Sequence, residues 1–300
     1  MNKKLLAYAQ LARPANLPTA AADILAGAAI AGVFSGVNPI DFLRSIWAVD
    51  VLCLALSSVC LYAGGVILND VFDHEVDKLE RPERPIPSGV VPVEFAAIYG
   101  CMALFFGVLL AFAVGPLSGL ISVVLAVAVV LYDAVSNQYA RWSPVNMGIC
   151  RGLNLLLGIS VTGVLVNYWL VLIPVVYIYA ITLISRGEVH GDNKRHIALA
   201  GGLYATVLVA LLVATLARGG EVWGSLLFLA TFGMLIFRPL AEAYRNNSPA
   251  NIKAAVMAGV QSLIVMDAVI TTSYASWAYG LVVLCLLGLS KFLSRIFAVT

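Results

Sequence analysis

Ten apolar stretches, each about as long as a bilayer crossing requires, dominate this 300-residue sequence. They lie near residues 16–34, 46–68, 92–114, 118–136, 145–165, 168–185, 197–217, 222–241, 252–272 and 276–296. In hydrocarbon a backbone must satisfy its own hydrogen bonds, and a single apolar segment does so only as an α-helix. The expected fold is therefore all-α, a polytopic transmembrane bundle of nine to ten spans. The last stretch is the weakest of the ten. Lys291 and Arg295 lie inside it and must snorkel to the interface or lay the segment along the surface. With 61% hydrophobic and 11% charged residues the chain is unlike a soluble domain, which carries about 25% charged residues.

The few charges are sorted. With the connections taken alternately, sixteen of the eighteen Lys and Arg fall on one side, and only Arg44 and Arg218 on the other. The positive-inside rule then puts the N-terminus and the crowded side in the cytoplasm. A net charge of +2 gives no basis for a nucleic-acid partner. Lys3, Lys4 and Arg13 precede the first stretch, but no short apolar run with a small-residue cleavage site follows, so that stretch is expected to be retained. The five cysteines (Cys53, Cys60, Cys101, Cys150 and Cys285) form no CxxC pair and read as small core hydrophobes. No soluble domain interrupts residues 1–300, which read as a single transmembrane domain.

The two longest polar stretches, about 69–90 and 186–196, both fall on the crowded side, at the ends of the second and sixth apolar stretches. In the first, Asn69, Asp70, Asp73 and Asp77 share one stripe of a helix, because about 100° per residue brings the three acids within roughly 60° of one another. In the second, Glu188 and Asp192 are one helical turn apart. Asp73 and Glu188 are 115 residues apart and follow similar apolar leads, which suggests a weak repeat of two four-helix portions. Like charges on a stripe repel, and acids near a membrane core are costly. Hard cations such as Mg2+ offset that cost, and Mg2+ uses one or two carboxylates together with substrate phosphates. Lys78, Arg81 and Arg84 follow the first stripe. Arg186, Lys194 and Arg195 flank the second, and Arg141 and Arg151 lie at the same face. Acids for metal, bases for phosphoryl oxygens and apolar walls suit a substrate with a diphosphate head and a long apolar tail. His74, His190 and His196 read as solvated or supporting residues. Asp23, Asp133 and Asp267 lie within spans, where each either faces a cavity or pairs with a neighbouring helix. Asn154 shares a face with Arg151, three residues away.

The run Asn69-Asp70-Val71-Phe72-Asp73-His74-Glu75-Val76-Asp77 completes the motif N-D-x-x-D-x-x-x-D. It continues through Arg81, Arg84, Pro85 and Gly89 in DKLERPERPIPSG. In this the sequence resembles the UbiA superfamily of intramembrane prenyltransferases. The N-terminal LARPANLPT, with Arg13, Pro14 and Asn16, resembles the family's entry to its first span. The resemblance implies about nine helices around a central cavity that opens to lipid. It implies two Mg2+ ions held by Asn69, Asp70, Asp73, Asp77, Glu188 and Asp192, with the five acids as the catalytic set. Diphosphate binding would fall to Arg13, Asn16, Asn69, Lys78, Arg81, Arg84, Arg141, Arg151, Asn154, Arg186 and Lys194. The implied reaction is transfer of an isoprenyl group from its diphosphate to an aromatic or lipid acceptor. Tyr62, Phe72, Tyr132, Tyr139, Trp142, Tyr177 and Tyr179 are candidate walls for a cationic prenyl group.

Two departures matter. Glu188 stands where the family has an aspartate, and the loop holding Tyr139 and Arg141 lacks the family's lysine. Both motivate the alternative of a non-catalytic prenyl-lipid or metabolite carrier that keeps the diphosphate pocket. The segment SRGEVHGDNKR, with the terminal RIFAVT, looks most like the UbiA-like EboC subgroup. That subgroup occurs with bacterial export genes and implies a bacterial inner membrane.

Overall fold

A computed structural model describes residues 3–135, 142–188, 191–219 and 221–297. The regular structure of the described residues is helical: α1 (Lys3–Leu11), α2 (Leu17–Ile30), α3 (Pro39–Phe42), α4 (Trp47–Phe72), α5 (His74–Glu80), α6 (Val93–Val114), α7 (Pro116–Ala134), α8 (Ser143–Ile159), α9 (Leu172–Ser185), α10 (Lys194–Arg218), α11 (Val222–Arg245), α12 (Pro249–Tyr274) and α13 (Trp277–Ile296). Short 3-10 turns extend α8 forward to Thr162 and α9 back to Tyr168. Among the described residues nine helices are then long and apolar enough to cross a membrane.

The first expected span is the exception. α2 has 14 residues, about 21 Å of helix, against a hydrocarbon core of about 30 Å. The expected stretch 16–34 stops early because the chain turns at Ala31–Gly36, where Gly32 and Gly36 take φ of +86° and +73°. Such angles suit glycine and end a helix. α2 is an interior half-helix: Asp23, Ile24, Ala26 and Ala28 have no exposed surface. It packs against α4, α8, α12 and α13. The approach to α8 is backbone on backbone, since a Cβ on Gly27 would lie 2.6 Å from the carbonyl carbon of Gly158. Small residues at such a crossing let membrane helices gain dispersion contacts.

The bundle buries polar side chains along with its apolar core and turns large apolar side chains outward, as a lipid surround allows. Phe95, Phe105 and Phe106 of α6 and Trp223, Leu227 and Met234 of α11 are exposed. Ser57, Ser58, Asp23, Asp267 and Thr271 are buried. Within its most apolar window α12 is 67% buried and α6 only 22%, so α12 is central and α6 faces lipid. α13, the stretch in doubt, packs on α12 and α2 as a member of the bundle. The ends of α4 and α9 come to the same end of the bundle, because four crossings separate them. Glu188, after α9, feels the charge of Arg81, after α5.

Candidate active site

The first acidic motif sits where α4 passes into α5. Asp73 alone interrupts the helix, and the backbone bonds from Asp73 to Asn69 and from Asp77 to Asp73, both 2.9 Å, carry the helical register through it. The stripe expected from the spacing is therefore kept. Asp70 and Asp77 are 7% and 5% exposed and Asp73 is half-buried.

Two arginines hold the buried acids. Arg13 Nη2 donates to Asp70 Oδ1 at 2.6 Å, and Arg84 Nη1 lies 2.6 Å from Asp77 Oδ2 and 3.4 Å from Asp70 Oδ1. Three acids thus face two guanidiniums. Burial, together with the charges of Asp77 and Asp70, holds the Asp73 carboxyl above its ordinary range, and Arg84 and Arg13 offset part of that. Arg13 is bent into place, with φ of +47° in the left-handed region that non-glycine residues rarely enter. Of the three described non-glycine residues with positive φ, two, Arg13 and Asp192, belong to the candidate site. Strain of this kind concentrates where surrounding structure holds a functional geometry.

Glu188 and Asp192 of the second acidic stretch fall outside the described helices. α9 ends at Ser185 and α10 begins at Lys194, so Glu188 and Asp192 lie in the connection between them. Gly191 and Asp192 adopt φ of +72° and +51°, which breaks the helix. A Cβ at Gly191 would lie 2.8 Å from the Asn247 carbonyl oxygen, so only glycine fits there. Asn193 anchors the connection. Its side chain donates to the carbonyls of Leu183 and Ile184 at 3.0 and 2.9 Å, and its backbone N–H donates to Asn247 at 2.6 Å. Asp192 is exposed and Glu188 is half-buried. Burial pushes the Glu188 carboxyl up, while the charges of Lys253 and Arg81 pull it back.

The remaining candidates divide. Asn69 interacts with Asp133, whose carboxyl also feels Asp73, Arg13 and Asp70. Tyr62 lies within electrostatic reach of Arg13, and Tyr132 of Asp73, so both belong to this end. Asn16 is half-buried just after Arg13, and Arg81 is exposed. Lys78 is paired with Glu75 at 2.7 Å on the surface. Lys194 is exposed, its ammonium 5.9 Å from the Tyr244 ring centroid. Arg186 directly follows α9. Tyr177 is a core residue, packed on Tyr204 and Phe232 with its hydroxyl on the Gly259 carbonyl at 2.8 Å. Phe72 and Trp142 are exposed. Arg141, Tyr139 and His190 lie outside the described residues.

Arg151 and Asn154, expected at the diphosphate, sit in a buried network. Arg151 Nε is 2.7 Å from Asp23 Oδ2, and Arg151 Nη2 is 3.8 Å from Asp267 Oδ2. Asn154 donates to Asp23 Oδ2 at 2.8 Å and accepts from Ser58 at 2.6 Å. The sequence offered one signal for this. Acids inside spans need buried partners, and Arg151 is the one arginine of the fifth apolar stretch. Thr19 and Ser58, which complete the network, carry no such mark.

The donor set of the first motif fits a hard divalent ion by its chemistry, since it offers only oxygens and three repelling carboxylates. In this structure Arg13 and Arg84 supply the balancing charge. Among the described residues no group of three or more His, Cys, Asp or Glu side chains converges as a metal cage would.

The described fold is an all-helical membrane bundle with an aspartate stripe at one end, and sequence comparison names its family. Residues 24–258 match the UbiA prenyltransferase family, and the chain belongs to that family. A relative from Ignicoccus hospitalis, digeranylgeranylglyceryl phosphate synthase, is 38% identical over 130 residues. That match covers 43% of this chain and 39% of the relative, so the chain spans well under two thirds of it. A solved structure of digeranylgeranylglyceryl phosphate synthase in membranes shares the fold at a TM-score of 0.66 and 19% identity, over 91% of this chain and 99% of that one. A UbiA homologue from Archaeoglobus fulgidus, solved with DMAPP and Mg2+, aligns at 0.56 and 16% identity, over 83% and 99%.

Proposed function

We propose that the chain transfers an isoprenyl group from a prenyl diphosphate to an acceptor within the membrane, with Mg2+ as cofactor. The observation that carries this reading is the stripe of buried Asp70 and Asp77 and half-buried Asp73, with Arg13 and Arg84 against it. Mg2+ would be held by Asn69 and the three aspartates, with Glu188 and Asp192 reaching from the opposite connection. When bound, it neutralises charge on a departing diphosphate. Arg13 and Arg84 already stand at the acids and present guanidinium forks that match phosphoryl oxygens. Arg81 and Lys194 add exposed positive charge at the same end. Apolar helix faces take the tail.

The relatives named digeranylgeranylglyceryl phosphate synthase favour a glycerophosphate-type lipid as acceptor. The finer likeness to the EboC subgroup rests on SRGEVHGDNKR and RIFAVT, and it would place the chain in a bacterial inner membrane. The charge sorting supports a cytoplasmic N-terminus and cytoplasmic acidic motifs. The whole chain is then one domain of two similar four-helix portions, with motifs at 69–77 and 188–192.

Purified protein given Mg2+, labelled geranylgeranyl diphosphate and a lipid extract tests this. Label moving to a new product, absent with Asp70→Ala/Asp73→Ala, supports the transferase. Tight Mg2+-dependent binding without turnover supports the carrier reading, which Glu188 and the lysine missing beside Arg141 motivate.

A further inference from the structure

Arg151 is 8% exposed, and its guanidinium lies within the bundle. Nε faces Asp23 at 2.7 Å. Nη1 donates to the Thr19 hydroxyl at 3.2 Å, and Nη2 donates to the Thr19 carbonyl at 2.8 Å. Two of its N–H groups are taken by Thr19, and the buried fork is held among Thr19, Asp23 and Asp267. The Thr19 hydroxyl passes the contact on, donating to the Asn16 carbonyl at 2.8 Å, and the Asn16 N–H donates to the Arg13 carbonyl at 2.9 Å. Arg13 then reaches Asp70. An unbroken chain of polar contacts therefore runs from the interior of the bundle to the acidic stripe.

We propose that Arg151 is a positioning residue, which fixes the turn that brings Arg13 onto Asp70 and does not itself touch substrate. The proposal rests on reading the stripe as the diphosphate site. The left-handed backbone of Arg13 needs outside restraint, because a non-glycine residue there is strained. Restraint comes from three directions: Thr19 through Asn16, Ser290 of α13 donating to the Ala15 carbonyl at 2.6 Å, and Asn154 donating to the Ala20 carbonyl at 3.0 Å. The planar fork is what the task requires. It meets a carboxylate on one edge and a hydroxyl and a carbonyl on the other, which a lysine ammonium cannot do at once. Asp23 and Asp267, both fully buried, hold the fork in the interior.

The test is a double-mutant cycle on Mg2+-dependent binding of geranylgeranyl thiodiphosphate, with amide exchange of residues 13–19 as a ligand-free readout. Arg151→Lys and Thr19→Val are each combined with Arg13→Ala. Thr19→Val keeps shape and charge, so it reports on the relay even if Arg151→Lys fails to fold. In the native background each should weaken binding by about three- to tenfold, and in the Arg13→Ala background by less than about twofold. Amide exchange over 13–19 should rise in both single variants. Equal losses with and without Arg13 would overturn the proposal, as would unchanged amide exchange. If the native protein does not bind the analogue, the diphosphate reading fails, and the exchange data alone decide the role of Arg151.

Discussion

Arg13 and Asp70 are 57 residues apart in the chain and 2.6 Å apart in the fold. The contact joins the turn before the interior half-helix α2 to the end of the first full span. Removing the guanidinium leaves Asp70, among the described residues, with Arg84 at 3.4 Å. Arg13→Ala should cost about 1–2 kcal/mol, below the figure for a fully buried pair because the Arg13 side chain is 27% exposed. Asp70→Asn in that background should recover part of the loss. Thermal unfolding in detergent without Mg2+ measures both.

Arg84 serves two acids and its side chain is 11% exposed. Arg84→Met should destabilise the metal-free protein by about 3 kcal/mol, since two buried carboxylates lose their shared counter-charge. Mg2+ should restore part of that stability in Arg84→Met, because a divalent ion can replace the lost positive charge. A melting temperature that does not respond to Mg2+ in this variant would contradict the metal assignment.

In the absence of metal, Asp73 opposes folding. A carboxyl whose folded-state pKa is raised is penalised once pH rises above its unfolded value, because the folded state then disfavours its charge. Asp73 is such a group, raised by burial and by Asp77 and Asp70. In EDTA, Asp73→Asn should therefore be more stable than the native protein at neutral pH. The advantage should vanish as pH falls below the ordinary aspartate range. Melting curves of the two proteins against pH give the sign directly.

Asp192 occupies a left-handed backbone position beside Gly191. Asp192→Gly should stabilise the apo protein by about 0.5–1 kcal/mol, because glycine adopts φ of +51° without strain. The same change should weaken Mg2+-dependent binding of a thiodiphosphate analogue. Stability rising while affinity falls would mark Asp192 as held in place for its carboxylate. Higher stability with unchanged affinity would remove it from the metal set.

The bundle was legible because its signal is physical and local. A backbone in hydrocarbon has one solution per segment, and ten apolar stretches announce it. The asymmetry of the basic residues fixed which ends lie together, and the structure agrees that Arg81 and Glu188 do. The stripe at Asp70, Asp73 and Asp77 was legible from helical spacing, because the register runs through Asp73. The second motif was not. Glu188 and Asp192 have the same i, i+4 spacing, but Gly187, Gly191 and the anchoring of Asn193 turn that stretch into a connection. The length of α2 was also hidden, since the apolar run continues through the turn at Gly32 and composition does not record a bend. The role of Arg151 lay out of reach for a different reason. A basic residue near a span end reads as a ligand for phosphate, and only coordinates show that Arg151 is buried against Asp23, Asp267 and Thr19.

The most direct measurement is calorimetric titration of geranylgeranyl thiodiphosphate into the native protein and into Asp70→Asn/Asp73→Asn, with Mg2+ and with EDTA. The expected result is binding by the native protein in Mg2+, loss of at least about tenfold in EDTA, and a similar loss in the double variant in Mg2+. Equal affinity in all four titrations, with both proteins folded, would contradict the assignment of the aspartate stripe as the metal-dependent diphosphate site.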